Sequence, residues 1–352
     1  MESGTALEKL TSVGWMEMHR SRRIKQEDIA KMLGLSVSQV SRALSDKGEV
    51  APETRKQIRG LAKQLGYTPN IIARSLRSRT TMTLGIIQPN ISNPFFSMLV
   101  RGIEDVAQKK NYSILVSNTY ESMQTEEKLI KSMFDRGVDG LLMVPVRAKH
   151  LNTELLLKNS VPVVILGRCT RDSGLHCVVV NDYQAGYMAT EHLISRGHKR
   201  ILYCSGPADM ICSIDRLNGF RKALEDHGIP FSEDMVHTGG TSIHDGYESM
   251  KECLKQKPDF TAVFAFNDLV AYGCLHALKE HGYNAPRDYA IMGFDDSDLN
   301  VVLSPQLTSI HQPTHEMGKK AAELILNLID SEESVEPRTI VFEPELRVRE
   351  TT

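Results

Sequence analysis

The run Ser36-Val37-Ser38-Gln39-Val40-Ser41-Arg42 offers hydroxyls, an amide and a guanidinium with no acidic residue among them. These are the side chains that read and hold nucleic acid. Arginine can pair bidentately with guanine O6 and N7, valine can touch a thymine methyl, and hydroxyl and amide groups meet phosphate oxygens. Catalysis has no comparable pattern here. The chain carries no G-x-S-x-G nucleophile elbow, no P-loop and no G-x-G-x-x-G, and a lone Cys or His without a placed partner is not chemistry. The six cysteines (Cys169, Cys177, Cys204, Cys212, Cys253 and Cys274) form no C-x-x-C, and no histidine cluster has zinc spacing. They read as reduced, mostly packed thiols. No enzyme, metal or cofactor is expected.

Two short helices around a tight turn would position that run. Lys25–Leu33 places Ile29, Ala30 and Leu33 on one face with acids in its first turn. Gly34 tolerates the positive φ that ends a helix. Ser36 is then a good N-cap for Val37–Leu44, with Val40, Ala43 and Leu44 inward. A third helix starts at Pro52, a favoured first position, and runs to about Leu65, with Ile58, Leu61, Ala62 and Leu65 inward and Gly66 after it. This is a helix-turn-helix. In that geometry the start of the second helix meets base edges, so Val37, Ser38 and Arg42 are the base-reading candidates. Ser36, Gln39 and Ser41 are candidates for the DNA backbone. The same helix also reads as the solvated polar face of a small helical domain.

The net charge of −2 hides a split. Residues 1–80 hold 15 Lys+Arg and 8 Asp+Glu, a net of +7, and residues 81–352 hold 27 and 36, a net of −9. A basic head on an acidic body suits a polyanion partner. After Thr83 the pattern alternates strand and helix as far as about Gly293, in two sets, which predicts parallel sheets with helices on both faces in two lobes. The reading ends on a helix Thr314–Ile329 and one strand near Ile340–Glu345. No apolar run approaches a membrane span, and the first residues lack a signal-peptide pattern, so a cytoplasmic protein associated with the bacterial nucleoid is expected. Residues 1–22 read as a disordered extension.

Many motifs in unbroken order make the chain resemble the lactose/galactose repressor (LacI/GalR) family over about residues 24–350. In the head these include Asp28-Ile29-Ala30, Val40-Ser41-Arg42-Ala43-Leu44, Leu65-Gly66-Tyr67-Thr68-Pro69-Asn70 and Ala73-Arg74-Ser75-Leu76. In the body they include Asn93-Pro94-Phe95-Phe96, Arg216-Leu217-Asn218-Gly219-Phe220, Phe266-Asn267-Asp268, Gly293-Phe294-Asp295-Asp296 and Gln312-Pro313. The resemblance implies a small all-α head (23–69), a hinge helix or linker (70–82), and an α/β two-lobed sensor like the type I periplasmic binding proteins (83–352), which also dimerises.

It further implies a minor-groove hinge at Ala73 and Leu76. There an apolar wedge kinks the duplex while Asn70, Arg74 and Arg77 hold the DNA backbone. Phe95, Phe96, Arg168, Met210, Arg216, Asn267 and Asp295 would meet an effector between the lobes. Asp268 and Asp296 read instead as local caps.

Two departures stand out. Gly167-Arg168 follows the Val163–Leu166 strand where many relatives place an aspartate, and Met210 stands where the purine sensor has an arginine. A purine corepressor is therefore disfavoured. Arg168 meets an anionic ligand or lies on the surface. The expected protein is a homodimeric, sequence-specific regulator, a repressor of a catabolic or transport operon. It would bind a near-palindromic double-stranded DNA operator under the control of a sugar or sugar acid. A corepressor-dependent or nucleoside-responsive regulator is the alternative, with a ligand receptor that binds no DNA behind it.

Overall fold

The computed structural model describes residues 24–45, 50–68, 80–147, 153–169, 173–256, 259–331, 333 and 335–352. The chain separates into two compact units, with the break between Arg79 and Thr80.

In the first unit three helices follow the apolar spacing. Helices α1 (Gln26–Leu33), α2 (Val37–Leu44) and α3 (Pro52–Gln64) enclose Ile29, Ala30, Val40, Ala43, Ile58 and Ala62. Gly34 ends α1 at φ 64°, which only a residue without a Cβ adopts cheaply. The turn that follows is fixed by a reciprocal cap. Ser36 Oγ accepts from the Gln39 backbone N–H at 3.2 Å, and Gln39 Oε1 accepts from the Ser36 N–H at 3.1 Å.

The second unit contains two six-stranded sheets. The first lobe is built from β1 (Thr83–Gln88), α4 (Pro94–Lys109), β2 (Ser113–Asn118), α5 (Met123–Asp135), β3 (Gly140–Met143), α6 (Thr153–Leu157), β4 (Val163–Leu166) and β5 (His176–Val180). The second is built from α7 (Asp182–Ser195), β6 (Ile201–Ser205), α8 (Ile211–Asp226), β7 (Val236–Thr238), α9 (Ile243–Lys255), β8 (Ala262–Ala265), α10 (Asp268–Glu280), β9 (Ala290–Asp295) and β10 (Thr308–His311). The chain then returns: α11 (Thr314–Asp330) packs on α4 in the first lobe, and β11 (Thr339–Phe342) joins the first sheet. Finally β12 (Glu345–Arg347) joins the second sheet. The strand orders are β11-β5-β4-β3-β1-β2 and β12-β10-β9-β8-β6-β7, all parallel except the β10–β12 pair. The lobes are therefore joined where the chain crosses after β5, after β10 and after β11.

Several boundaries differ from expectation. The single strand expected near Ile340–Glu345 is two strands serving different sheets. Strand β10 carries no periodic signal, because Thr308 and Ser309 are buried polar residues whose hydroxyls are used inside: Ser309 Oγ donates to Asp268 at 2.7 Å. Helix α8 starts four residues before the expected Asp215, at Ile211, because its N-cap, Met210, makes no side-chain cap and so leaves no start signal. The thiols of Cys169 and Cys177, expected to be free, are joined in a disulfide with Cα atoms 6.3 Å apart. Ile165 and Cys177 are register partners in the parallel β4–β5 pair, so the loop leaving β4 brings Cys169 back to β5. Thr81 and Met82 are tied to the body, as the Asp139 carboxylate accepts from both backbone N–H groups at 2.9 and 2.7 Å.

Candidate functional site: recognition helix and effector cleft

On the head, Val37 is 44% exposed, on a helix whose other face is core. Ser38 and Arg42 are exposed beside it, one helical turn apart, and Arg42 Nε donates to the Ser38 carbonyl at 3.3 Å. The three base-reading candidates thus share one solvent-facing side. Ser36 and Gln39 are already engaged in the capping box, and Ser41 is half-buried. Asn70, Ala73, Arg74, Leu76 and Arg77 lie outside the described residues.

In the sensor, one cleft of about 540 Å³, its open mouth included, collects the chain just beyond the C-terminal ends of the strands of both sheets. From the first lobe come Phe95 and Phe96 after β1, Glu121 after β2 and Arg168 after β4. Asn93 starts α4 by accepting from the Phe95 N–H at 3.0 Å, and the two phenylalanine rings meet edge to face at 5.1 Å. From the second lobe come Arg216, on the first half of α8, Asn267 after β8 and Asp295 at the end of β9. Asp182 and Gln312, at two of the crossings, line it as well.

The electrostatics are those of buried, paired charges. Arg216 is 5% exposed; its Nε donates to Asp182 Oδ1 at 2.7 Å and its Nη1 to the Phe266 carbonyl at 2.6 Å. Its guanidinium carbon lies 3.4 Å from the centre of the Phe294 ring. Burial opposes that charge, but Asp182 first, with Cys212 and Asp295, outweighs it and raises the arginine further.

Asp295 adopts φ 105°, a conformation side-chain-bearing residues rarely hold, which aims its carboxylate at the cleft. Gln312 Nε2 donates to it at 2.7 Å. Burial first and Asp268 second push its carboxyl well above the ordinary range, although Arg216 and Gln312 pull the other way. Behind it, Asp268 accepts from the Ser297 N–H (2.7 Å), Asn300 Nδ2 (2.9 Å) and Ser309 Oγ (2.7 Å). Asp268 therefore fixes the loop that follows Asp295. Asp296 is tied to His311 Nδ1 at 3.1 Å and Arg349 Nη2 at 2.5 Å. Burial of the Cys212 thiol in the same wall pushes it up to about 11, so it stays protonated and unreactive near neutrality.

Two expected effector residues sit differently. Met210 is 1% exposed within the core of the second lobe, because as N-cap of α8 its side chain packs under the helix; it is not in the cleft wall. Arg168 is neither a surface arginine nor an open anion site. It is 7% exposed, and Nη1 and Nη2 donate to the two Glu121 carboxylate oxygens at 2.9 and 2.8 Å. Asn267 does line the cleft, but its amide is occupied, capping α10 through the Val270 N–H (2.8 Å) and donating to the Thr241 carbonyl (3.0 Å). Sequence reading missed Glu121 and Asp182. Both follow a parallel strand within a few residues, which is the one signal that points to them.

Among the described residues, no group of three or more His, Cys, Asp or Glu side chains is arranged to hold a metal ion, and no helix is long and apolar enough to cross a membrane.

Comparison with known proteins gives two family matches. Residues 25–70 match the model for bacterial regulatory proteins of the lacI family, and residues 81–343 match that for periplasmic binding proteins and the sugar binding domain of the LacI family. The chain is 32% identical over 326 residues to catabolite control protein A of Priestia megaterium, covering 92% of this chain and 98% of that protein. A structure of the transcriptional regulator CelR in complex with cellobiose is 30% identical, with a TM-score of 0.72 over 94% of this chain and all of the other. A LacI family regulator from Enterococcus faecium with bound ribose is 32% identical, with a TM-score of 0.69 over 77% of this chain and 98% of that one.

Proposed function

The chain belongs to the LacI family of DNA-binding transcription repressors controlled by small-molecule effectors, and from that premise we propose that its effector is a polyhydroxylated molecule, a sugar or sugar acid. The observation that carries this reading is the presence of Arg216 and Asp295 in one cleft: a guanidinium and a carboxylate that accepts from the neutral Gln312 amide, against the rings of Phe95 and Phe96. Vicinal hydroxyls both donate and accept, and a pyranose or furanose ring has an apolar face, so the wall matches them on both counts. The solved structures of relatives with cellobiose and with bound ribose support the same class. With Met210 buried in the core, no arginine stands at that position to meet a purine.

On the DNA side, Val37, Ser38 and Arg42 read base edges in the major groove, and Ser36, Gln39 and Ser41 meet the backbone. Ala73 and Leu76 form the hinge that enters the minor groove, flanked by Asn70, Arg74 and Arg77. Two copies bind as a homodimer on a near-palindromic operator in the cytoplasm, and effector binding changes the lobe arrangement and with it operator affinity, repressing a catabolic or transport operon. Selection of bound DNA from a random duplex pool, repeated with sugars, sugar acids and nucleosides, tests the whole reading. It predicts an enriched near-palindrome that one polyol gains or loses. Enrichment that responds only to a nucleoside would overturn the effector class, and no enrichment under any condition would overturn the operator reading.

A further inference from the structure

The charge balance of the cleft says more about its ligand, and this step rests on the effector reading above. Both buried guanidinium groups already have a carboxylate partner. Arg168 gives both terminal nitrogens to Glu121, and its Nη1 also lies 3.2 Å from the Pro145 carbonyl. Arg216 is held by Asp182 and the Phe266 carbonyl, with an aromatic ring against its face. Asp295, by contrast, makes no ion pair within 4 Å among the described residues; its recorded partner is the neutral Gln312 amide. Glu121 and Asp182 each hold an arginine, and Asp295, its carboxyl pushed up by burial, faces the ligand space without a cationic partner among the described residues.

A carboxylate or phosphate entering this cleft would have to leave water and would find, among the described residues of the wall, no guanidinium without a carboxylate partner. A hydroxyl entering the same place donates to Asp295 and asks for no countercharge. We infer that the cleft selects an uncharged polyol over its acid counterpart, and that Glu121 sets this selectivity by occupying Arg168. Both residues line the cleft, the Glu121 side chain 31% exposed and its arginine 8%. Without Glu121, Arg168 would be a buried fork with two free donors, which is the usual receptor for a ligand carboxylate.

The test uses the full chain and matched probe pairs: glucose and glucuronate, galactose and galacturonate, ribose and ribonate, cellobiose and cellobionate. Thermal shift and calorimetry are read for each. At least one neutral member should bind the wild type, with its acid partner tenfold or more weaker. Glu121→Gln, which removes the charge with little change of shape, should raise affinity for the acid and narrow that ratio at least tenfold. The double variant Glu121→Gln/Arg168→Gln should lose the gain, which separates a freed arginine from general loosening of the loop. Tighter binding of an acid by the wild type, or an unchanged ratio in a folded Glu121→Gln protein, would overturn the selectivity. Failure of every probe to bind the wild type would instead remove the sugar reading itself, and the inference with it.

Discussion

Arg147, in the loop after β3, donates through Nε to Asp209 Oδ2 at 2.6 Å, so an ion pair runs directly from the first lobe to the second. The same guanidinium lies 3.5 Å from Glu121, which holds Arg168. A chain of alternating charges thus connects the inter-lobe contact to the cleft wall. Asp209 is 56% exposed, so solvent screens the bridge and its worth is about 0.2–1 kcal/mol. Arg147→Ala should weaken effector binding by no more than about fivefold, with the difference shrinking as salt is added. Calorimetry at two ionic strengths checks this, and a loss that does not depend on salt would point to packing rather than charge.

The buried pair behaves differently. Removing Arg216 leaves Asp182 without its partner in a site where both side chains are under 10% exposed. Arg216→Ala should cost on the order of 3–5 kcal/mol of stability in addition to effector binding. Adding Asp182→Ala should recover part of that stability, as a double-mutant cycle by denaturant unfolding would report. Strict additivity would mean the two charges are not coupled.

For operator reading, Arg42→Ala should cost about 1–3 kcal/mol and relax preference at one base pair per half-site. Equal losses on operator and random duplexes would make Arg42 a phosphate contact only.

Burial, with Asp296 nearby, pushes Asp268 up to about 7, against the hydrogen bonds from Ser297, Ser309 and Asn300 that pull it down. Its folded value lies above the ordinary 3.8, so the native state binds more protons than the unfolded chain between those values. The stability this group contributes is therefore complete below about pH 4 and lost as pH rises to about 7, with a slope of at most about 1.4 kcal/mol per pH unit. Asp268→Asn should flatten that part of the profile. Melting curves from pH 4 to 8 measure it, and identical slopes in both proteins would remove Asp268 as the titrating group.

Helices α7 and α8 cross where Gly186 faces the Arg216 carbonyl and Gly219 faces the Tyr183 carbonyl, each in contact too close for a Cβ. Gly219→Ala should push the helices apart at a cost of about 1–3 kcal/mol and displace Arg216 from Asp182. Unfolding midpoints and effector affinity should fall together; loss of stability with unchanged affinity would show that Arg216 is positioned by other contacts.

The head was legible almost to the residue. Its signals are local: apolar spacing in α1 to α3, Gly34 at a positive φ, Ser36 and Gln39 as a capping box, Pro52 at a helix start. The alternation of strands and helices in the body was legible for the same reason, since each buried strand is a short apolar run. Strand β10 was not, because its buried Thr308 and Ser309 look like loop residues until their long-range partners are known. Nor was the split of the last strand, since sheet membership depends on which lobe the chain has returned to.

In the cleft, sequence placed Arg216, Asp295, Phe95 and Phe96 by family resemblance, and the fold brings them together. Their electrical state was beyond it. The partner of Arg168 is 47 residues away, and the partner of Arg216 is 34 away. Whether an arginine invites an anion or is already neutralised depends on which carboxylate the fold sets beside it. Sequence by itself determined the helices, the strands and the chemical types available at the strand ends; the tertiary structure alone decided how those charges are paired, because pairing over a few ångströms is set by packing across the two sheets and not by order along the chain.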